Sequence, residues 1–365
     1  MTSATIVNAD LDMRHAVARN PSTPPALLAL LADDEDEDVR EAVALNPSTA
    51  PDVLAMLADD DDFDVRSAVA RHPRTSPDLL ADLADDDELV CSVALNPSLS
   101  PALFAELAAD DRHGVRYRVA ANRATSPAIL AQLAADPHPH VRERVAQHPS
   151  APADVLSRLA GDPEQYVRKA VASHPSTPPA VLAHLADDPD GVVQDRVAWH
   201  PTTPPEALAQ LSHDPDAWIR EAVARNPHTP PDVFSRLAAD PDPYVRRRVA
   251  TSPWASPDVI AQLASDPSYH AREGAASNPS TPPELLERLA DDPIRSVRDA
   301  VAANPSTPPH VLLHLYDSGG GANYCGRLAR NPSTPPELLS ILAQHTEWAV
   351  RDCARQNPSY TGDTK

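Results

Sequence analysis

Aromatic residues, glycine and lysine are scarce in this chain. Of its 365 residues, 4% are aromatic, nine are glycine and two are lysine, Lys169 and Lys365. A core with so few large rings has to be packed from small aliphatic side chains in thin layers. Because only two of the 31 basic residues are lysine, nearly all are arginine, a side chain suited to fixed bidentate pairing with carboxylates. These arginines form no basic stripe suited to phosphates. This composition argues against direct binding to nucleic acid.

The chain also has few cysteines and no long apolar run. Cys91, Cys325 and Cys353 show no CxxC spacing and cannot form an even set of disulfides, which is typical of a reducing compartment. No window approaches 18 consecutive apolar residues, so we expect no membrane span. The first residues, MTSATIVNADLDMRH, lack the basic start and apolar run of a signal peptide. Together these absences predict a cytoplasmic protein without a membrane partner.

Proline, aliphatic residues and acidic residues are abundant. The chain has 42 prolines, but its hydrophobic content of 42% is too high for a disordered protein. The formal net charge of −22 is unevenly placed, because residues 1–111 hold 24 Asp or Glu and six Arg, a net charge of −18. The acidity therefore belongs mainly to the first third of the chain.

A proline recurs along the chain with a nearly constant period, and we call it the marker. It follows Asn, His or Ser at Pro21, Pro47, Pro73, Pro97, Pro149, Pro175, Pro201, Pro227, Pro253, Pro279, Pro305, Pro332 and Pro358. The intervals are 26 residues except for 24 before Pro97 and 27 before Pro332, and Arg123 once takes the marker position. We expect an N-terminal cap at 1–12, a single solenoid domain of about 13 repeats at 13–358 and a C-terminal tail at 359–365. The repeat around 317–326 is irregular and rich in glycine.

Each period contains two apolar patterns at helical spacing, which the stretch from Asn278 to Ala303 illustrates. After the marker, apolar residues at +6, +7 and +10 predict one helix, with Thr281 as its N-cap and Glu284 closing a capping box. Before the next marker, apolar residues at −8 and −4 predict a short second helix, which Asp292 would cap and which the Asn-Pro pair would end. One unit buries too little apolar surface to be stable alone, so the units should stack.

The unit VRxxVAxNPSTPPEVLxxLAxDPD resembles the leucine-rich repeat variant family over about residues 11–358. The resemblance implies an all-α, right-handed superhelical solenoid, in which a longer α-helix alternates with a short α- or 3₁₀-helix in each repeat. Some members carry a cysteine-rich iron–sulfur module at the amino terminus. No cysteine precedes Cys91, so we expect no cluster and no other cofactor. The family implies no enzymatic activity, and we predict none here.

Two polar positions recur so regularly that we interpret them as structural. Arginine occupies marker −7 at Arg14, Arg40, Arg66, Arg116, Arg142, Arg168, Arg220, Arg246, Arg272, Arg298 and Arg351. We expect these side chains to pair with aspartates of neighbouring repeats. The asparagine at marker −1 should bridge backbone groups at the helix end, and histidine replaces it at His72, His148, His174 and His200.

Marker −9 is the most variable position. It holds Asp12, Asp38 and Asp64 early in the chain, and later His140, Tyr166, Val192, Trp218, Tyr244 and His270, which we call the ring column. Such a column would form a stripe on one surface, where aromatic and imidazole rings could anchor a partner. Alternatively, the rings cover the short helix of the next repeat. The packing role is the simpler interpretation, and we keep a binding role for His140, Tyr166, Trp218, Tyr244 and His270 as a hypothesis.

The acidic turns of the early repeats allow two interpretations. Their central residues are Asp34, Asp36 and Asp38 in one repeat and Asp60, Asp62 and Asp64 in the next. They could simply keep the first repeats hydrated. They could also dock a basic protein partner by charge steering.

Two further pairs resemble sites but are incomplete. His310 and His314 have the spacing of zinc ligands on a helix, but the HVLLH sequence lacks the glutamate of HExxH. Cys325 and Cys353 are close to one period apart, so the repeats could bring them near each other. We predict no metal site and assign neither pair a role.

These features favour a non-catalytic scaffold that binds an unknown protein partner through an extended superhelical surface, and the acidic first third favours a basic partner. An alternative is an acidic nucleic-acid mimic that binds a basic DNA-binding protein. A HEAT-like repeat enzyme such as a DNA glycosylase is a third option, which the missing basic groove disfavours.

Overall fold

A computed structural model describes residues 9–319 and 322–362, except the side chains of Ala322 and Asn323. This part of the chain contains 27 α-helices and no strand. The predicted all-helical fold of repeated helix pairs is thereby confirmed. The chain divides into two compact units, Met1–Pro178 and Pro179–Lys365. The single domain at 13–358 stays a prediction, as does its handedness, and much of the expected cap and tail lies outside the described residues.

The first unit contains thirteen of these helices. They are α1 (Leu11–Arg19), α2 (Pro25–Leu31), α3 (Glu37–Leu45), α4 (Pro51–Leu57), α5 (Phe63–Arg71), α6 (Pro77–Ala84), α7 (Val90–Val93), α8 (Pro101–Leu107), α9 (His113–Ala121), α10 (Pro127–Leu133), α11 (Pro139–Ala146), α12 (Ala153–Leu159) and α13 (Gln165–Ser173).

The second unit contains the other fourteen. They are α14 (Pro179–Leu185), α15 (Gly191–Trp199), α16 (Pro205–Leu211), α17 (Ala217–Arg225), α18 (Pro231–Leu237), α19 (Pro243–Thr251), α20 (Pro257–Leu263), α21 (Tyr269–Ser277), α22 (Pro283–Leu289), α23 (Arg295–Ala303), α24 (Pro309–Asp317), α25 (Ala322–Arg330), α26 (Pro336–Leu342) and α27 (Trp348–Gln356).

The helices alternate in position as well as in sequence. Even-numbered helices follow the marker proline, and odd-numbered helices precede the next one. Within each unit, successive odd-numbered helices pack against one another, and most even-numbered helices pack against both odd-numbered helices beside them in the chain. Helix pairs that stack in sequence order are the arrangement of a solenoid.

The even-numbered helices begin differently from the prediction. Pro282 is extended at the N-cap of α22 and gives no side-chain capping bond, so the predicted Thr281 capping box is wrong. Thr281 lies one residue too early and is buried, and its hydroxyl donates instead to the carbonyl oxygen of Ala275 at 2.5 Å. The threonine hydroxyl therefore satisfies a backbone carbonyl group near the end of α21 and not an N–H group at the start of α22.

The odd-numbered helices also begin later than predicted. In α23, Ile294 is the N-cap and Arg295 the first helical residue. The predicted cap Asp292 lies two residues before the cap and accepts the backbone N–H of Ile294 at 2.9 Å in an Asx turn. Both oxygens of its carboxylate accept hydrogen bonds from Arg272 in the preceding repeat.

The relative lengths of the two helices are the reverse of the expectation. α23 spans nine residues and is α-helical, whereas α22 spans seven. The first proline of the Pro-Pro pair stays extended, so α22 begins only at Pro283 and ends at Leu289. Leu286, Leu289, Val297 and Val301, each at most 2% exposed, are part of the core between the helices.

Two repeats depart from the pattern. The shortened repeat before Pro97 contains α7, which has only four residues. In the glycine-rich repeat α24 extends to Asp317, and Gly319 follows with a φ of 80°, as glycine often does after a helix end. The centre of the predicted irregular segment, residues 320–321, lies outside the described residues.

Candidate protein-binding surface

The ring column lies on the exposed side of the odd-numbered helices. In α19, Val245 at −8 and Val249 at −4 are fully buried. Positions −9, −6 and −2 follow one another at i, i+3 and i+7, so they share the other side of the helix. Because successive odd-numbered helices pack together within a unit, these positions form one continuous surface in each unit. We call it the odd-helix surface.

The first unit brings four rings into a row. The ring centroids of His140 and Tyr166 lie 5.3 Å apart in a stacked arrangement. The row continues to His138, 5.4 Å from His140, and then to His113, which stacks on His138 at 4.0 Å. Nδ1 of His140 lies 3.2 Å from a carboxylate oxygen of Glu143. Two of the predicted binding residues are therefore neighbours in a longer row.

Protonation of His138 is disfavoured. The pKa of His138 is lowered because its ring is partly withdrawn from water and because His113 and His140 would carry charge of the same sign. Its Nδ1 atom is buried and has no hydrogen-bond partner among the described residues. At neutral pH His138 therefore presents an uncharged ring rather than a cation.

The second unit contains a similar group of rings. Tyr244 and His270 lie 4.8 Å apart between centroids, and Tyr269 adds a ring 4.0 Å from His270. Tyr244 is 51% exposed and Trp218 is 44% exposed. At the end of α15, Trp199 is 46% exposed, and a neighbouring guanidinium covers its ring. Large exposed rings thus recur on consecutive odd-numbered helices.

Trp218 shows that a ring of this column can pack and remain exposed at the same time. A Cβ atom added to Gly191 would lie 3.4 Å from the Trp218 ring, so the indole covers the start of α15 in the preceding repeat. Val192, the aliphatic member of the column, is 41% exposed. One side of the indole therefore serves packing, and the other remains open to solvent.

The predicted arginine–aspartate pairs are present in at least seven places among the described residues. Nε of Arg246 donates to Asp266 at 2.8 Å and Nη2 donates to its other carboxylate oxygen at 2.9 Å. Nη1 donates to the carbonyl oxygen of Asp240 at 2.7 Å. The same two-bond pairs join Arg14 to Asp34, Arg40 to Asp60, Arg116 to Asp136, Arg142 to Asp162, Arg220 to Asp240 and Arg272 to Asp292. Each pair ties a repeat to the next one in the chain.

These pairs account for two of the predicted docking residues. The carboxylates of Asp34 and Asp60 are 7% and 8% exposed, and Arg14 and Arg40 respectively bind them. The pKa of Asp60 stays below its usual value, because the bonds from Arg40 and from a backbone N–H outweigh the opposing effect of burial. These carboxylates hold adjacent repeats together and offer little surface to a partner.

The remaining four predicted docking residues lie at helix starts. Asp36 and Asp62 are the N-caps of α3 and α5, and their carboxylates accept the backbone N–H of Asp38 and Asp64 respectively. Asp38 and Asp64 lie in the first turns with exposed side chains, where negative charge favours the helix. The acidic spacing therefore has a local structural explanation, with Asp38 and Asp64 still accessible.

The predicted asparagine bridge is also present. Nδ2 of Asn278 donates to the carbonyl oxygens of Ala250 and Ser252 at 2.8 and 2.9 Å, and its Oδ1 accepts the N–H of Ser280 at 2.9 Å. Asn278 is 1% exposed, so all three bonds are shielded from water. The same three bonds occur at Asn46, Asn96, Asn122, Asn226, Asn304, Asn331 and Asn357.

Histidine replaces this asparagine with one bond fewer. Nδ1 of His72 accepts the N–H of Arg74 at 3.1 Å, so the proton of the neutral ring lies on Nε2, which donates to the carbonyl oxygen of Asn46 at 3.0 Å. His148 makes the same two contacts. Burial lowers the pKa of both rings. Ser252 occupies the position once, and its buried hydroxyl has no partner among the described residues.

The two incomplete pairs have separate contacts. His310 and His314 lie 2.6 and 2.7 Å from carboxylate oxygens of Glu287 and Asp291 in the preceding repeat, and all four side chains are exposed. Cys325 is buried, whereas Cys353 accepts a bond from an arginine Nε, and neither forms a disulfide. Within the described residues, no cluster of three or more His, Cys, Asp or Glu side chains could hold a metal ion. The helices described there are also too short and too polar to cross a membrane.

The sequence reasoning missed several residues of the odd-helix surface. His113 and Tyr269 lie at −10, His138 at −11 and Trp199 at −2, all outside the column that we examined at −9. Only Trp199 has a signal in the sequence, because −2 follows −9 by seven residues and lies on the same helix side.

The fold and the surface define an α-helical repeat protein. Sequence profiles described as "Leucine rich repeat variant" match residues 11–36, 167–190, 217–242 and 269–294, and profiles described as "Leucine Rich Repeat Variant domain" match residues 41–86 and 115–173. The chain belongs to the leucine-rich repeat variant family. No curated protein shows significant similarity to it.

Solved structures with similar folds include a leucine-rich repeat variant with a novel repetitive structural motif. It is 28% identical, the alignment covers 59% of this chain and 83% of that one, and the TM-score is 0.46. Importin beta is 11% identical with a TM-score of 0.38, and the alignment covers 94% of this chain and 56% of importin beta. Kap121p is 10% identical with a TM-score of 0.43, and the alignment covers 96% of this chain and 47% of Kap121p.

Proposed function

We propose that this protein is a non-catalytic scaffold that binds another protein through its odd-helix surface. The binding residues are the rings His140 and Tyr166 in the first unit and Trp218, Tyr244 and His270 in the second. The observation that carries the proposal is that rings lie side by side on consecutive helices, in the pairs His140–Tyr166 and Tyr244–His270, and that His140, Trp218 and Tyr244 remain exposed. Exposed aromatic clusters of this kind are favoured anchors of protein interfaces.

The framework beneath the rings supports this assignment. The arginine–aspartate pairs and the asparagine bridges satisfy the polar groups that join the repeats, and they use other positions of the repeat. The fold therefore does not require a ring at −9, where aspartate stands in the early repeats. Three free cysteines agree with a cytoplasmic location, which we retain as part of the proposal.

A second contact with the partner could use the exposed carboxylates Asp38 and Asp64. The first third of the chain is strongly acidic, so we propose that a partner contacting it there is basic. Association that is equally fast at low and high salt would contradict this part of the proposal. The nucleic-acid mimic gains no support from the geometry, since Asp34 and Asp60 are already paired with arginines.

Affinity capture from the native cell, followed by mass spectrometry, tests the scaffold. We expect wild-type protein to retain a protein that a Trp218→Ala, Tyr244→Ala variant loses. Trp254→Ala is the matched control, because Trp254 is 49% exposed but lies in a turn next to a marker and outside the odd-numbered helices. Thermal unfolding of each variant separates lost binding from lost stability.

Two results would contradict the proposal. The first is that repeated captures recover no specific partner. The second is that the double variant retains every partner while its unfolding temperature falls. In the latter case the rings serve only to pack the repeats.

A further inference from the structure

An arginine cluster on the odd-helix surface of the second unit lacks sufficient carboxylate partners. Arg225 in α17 and Arg248 in α19 both face Glu221, with nitrogen–oxygen distances of 3.8 Å. These distances exceed those of a hydrogen bond. Nε of Arg248 is buried and has no hydrogen-bond partner among the described residues. A single glutamate therefore stands loosely between two guanidiniums, and Arg247 is exposed next to them.

The framework arginines of the same unit behave differently. Arg246, adjacent in sequence, binds both oxygens of Asp266 at 2.8 and 2.9 Å and is 13% exposed. Arg225 and Arg248 are 33% and 36% exposed, and their ion-pair contacts to Glu221 are long, at 3.8 Å. The arginines that join the repeats thus have their carboxylate partners within hydrogen-bond distance, whereas guanidinium N–H donors on this surface remain without a close acceptor.

Arg248 occupies marker −5, a position that holds buried Ala222 and Ala300 in two repeats of the unit and arginine in two others, Arg196 and Arg327. Arg196 and Arg327 also have carboxylates only at 3.8 and 3.9 Å, and Arg248 differs from them in the buried Nε that has no partner among the described residues. Burial lowers the pKa of Arg248, and the like charges of Arg225 and Arg247 lower it further, against the opposing effect of Glu221. An arginine at a position where alanine is sufficient for packing is costly to the fold, unless an anion accompanies it.

Aromatic rings surround the cluster. The guanidinium carbon of Arg225 lies 4.9 Å from the ring centroid of Trp199, a cation–π distance that leaves the edges of the guanidinium for other acceptors. Trp218 and Tyr244 lie at the starts of the same helices, α17 and α19, and are 44% and 51% exposed. Charged donors and apolar contact area therefore alternate across three consecutive helices.

We propose that Arg225, Arg247 and Arg248, together with Trp199 and Tyr244, form a binding site for a short acidic segment of a protein partner. Aspartate or glutamate carboxylates bind the guanidiniums, and apolar side chains of the segment contact the rings. Three helices at about 8–10 Å spacing match five or six residues of extended chain at about 3.3 Å each. This site rests on the proposed scaffold function and specifies the chemistry of its partner.

The net charge of the protein makes a carboxylate segment more plausible than a nucleic acid. At −22, the protein as a whole repels polyanions, and one local cluster flanked by Glu221 and Asp195 cannot offset this repulsion along a long phosphate backbone. A short segment interacts with the cluster alone. The rings also suit apolar side chains between the carboxylates.

Fluorescence polarisation with synthetic peptides tests the site. The probe is a fluorescein-labelled six-residue peptide of four glutamates and two leucines, and its control has glutamine in place of each glutamate. We expect Arg247→Gln and Arg248→Gln each to weaken binding of the acidic peptide about tenfold or more. Arg288→Gln removes the same charge from an even-numbered helix of the unit and should change affinity less than about twofold. Circular dichroism verifies that each variant is folded, and Arg247 is exposed enough for its variant to fold normally.

The outcomes distinguish this site from the scaffold as a whole. Equal binding of the acidic and glutamine peptides, or equal loss in the Arg288→Gln control, would overturn the site. Tighter binding of a matched phosphoserine peptide would overturn the choice of carboxylate. If the acidic peptide fails to bind while cellular capture still depends on Trp218 and Tyr244, the site is wrong but the scaffold stands. If the peptide binds and capture recovers no partner, the site stands and the scaffold is wrong.

Discussion

Replacing Ser252 by asparagine should stabilise the second unit. Ser252 occupies the position where Asn278, one period later, makes three hydrogen bonds. Its own hydroxyl is buried without a partner, and the backbone at the two positions is nearly the same, with φ and ψ of −70° and 130° at Ser252 and −73° and 123° at Asn278. An asparagine at 252 could therefore bridge to the carbonyl oxygens one repeat earlier and accept the N–H of Trp254.

The gain can be estimated from these bonds. Each buried hydrogen bond contributes about 1 kcal/mol net, and relief of the unpaired hydroxyl adds to this. Ordering the asparagine side chain costs about 1 kcal/mol. The expected stabilisation is thus about 1 to 3 kcal/mol. Asn278→Ser makes the reciprocal change and should destabilise by a similar amount.

Urea unfolding and amide hydrogen exchange measure the effect. A repeat array of this length need not unfold in one step, so exchange at amide 254 gives the local reading alongside the urea midpoint. We expect Ser252→Asn to raise the midpoint and slow exchange at amide 254 about tenfold for each 1.4 kcal/mol gained. An unchanged midpoint and unchanged exchange at this amide would refute the bridge as a source of stability.

Two further predictions concern stability. Gly274→Ala should destabilise by about 1 to 3 kcal/mol, because its Cβ would lie 2.8 Å from a backbone carbonyl oxygen of α19, whereas Gly326→Ala, with open space around it, should be neutral or stabilise by up to about 1 kcal/mol. Equal urea midpoints for the two variants would contradict this reasoning. The lowered pKa values of His72 and His148 mean that the unfolded chain binds more protons, so stability should fall as pH decreases below about 6.5. His72→Asn with His148→Asn should weaken this pH dependence in chemical unfolding between pH 5 and about 7.5, and a profile as steep as that of wild type would refute the assignment.

The period of the sequence was sufficient to predict the framework. Helix pairs, arginine–aspartate pairs and asparagine bridges all depend on residues that recur at fixed positions, so one repeat contains the information for its neighbours. The helix starts were harder to predict. Thr281 has the side chain of an N-cap, but the proline after it occupies that position, and the hydroxyl turns back to the previous helix. The preference of threonine for the N-cap position is overridden here by its hydrogen bond to the preceding helix.

The candidate site was predictable only in part. His140 and Tyr166 are neighbours because both stand at −9 in consecutive repeats, which the period predicts. His138 and Trp199 join the surface from other positions, −11 and −2. The cluster around Arg248 could not be recognised from the sequence, because sequence alone does not show which arginines have close carboxylates. In the same helix Arg246 binds an aspartate, whereas Nε of Arg248 has no hydrogen-bond partner among the described residues. Distances of 3.8 Å rather than 2.8 Å separate the two kinds of arginine.

The asparagine bridge has a consequence for how this chain can change in length. Its amide reaches carbonyl groups 26 and 28 residues back, and each framework arginine reaches a carboxylate 20 residues ahead. Deleting or duplicating 26 residues within a unit would therefore restore the same contacts between new partners. Losing two residues keeps the bridge but disrupts the arginine pair. Near the shortened interval before Pro97, Asn96 still reaches carbonyl groups 24 and 26 residues back, whereas Arg66 meets Glu88 at 3.7 Å instead of binding an aspartate with two bonds. Whole repeats can therefore be gained or lost with all contacts kept, while a change of length within a repeat disturbs the arginine pair first.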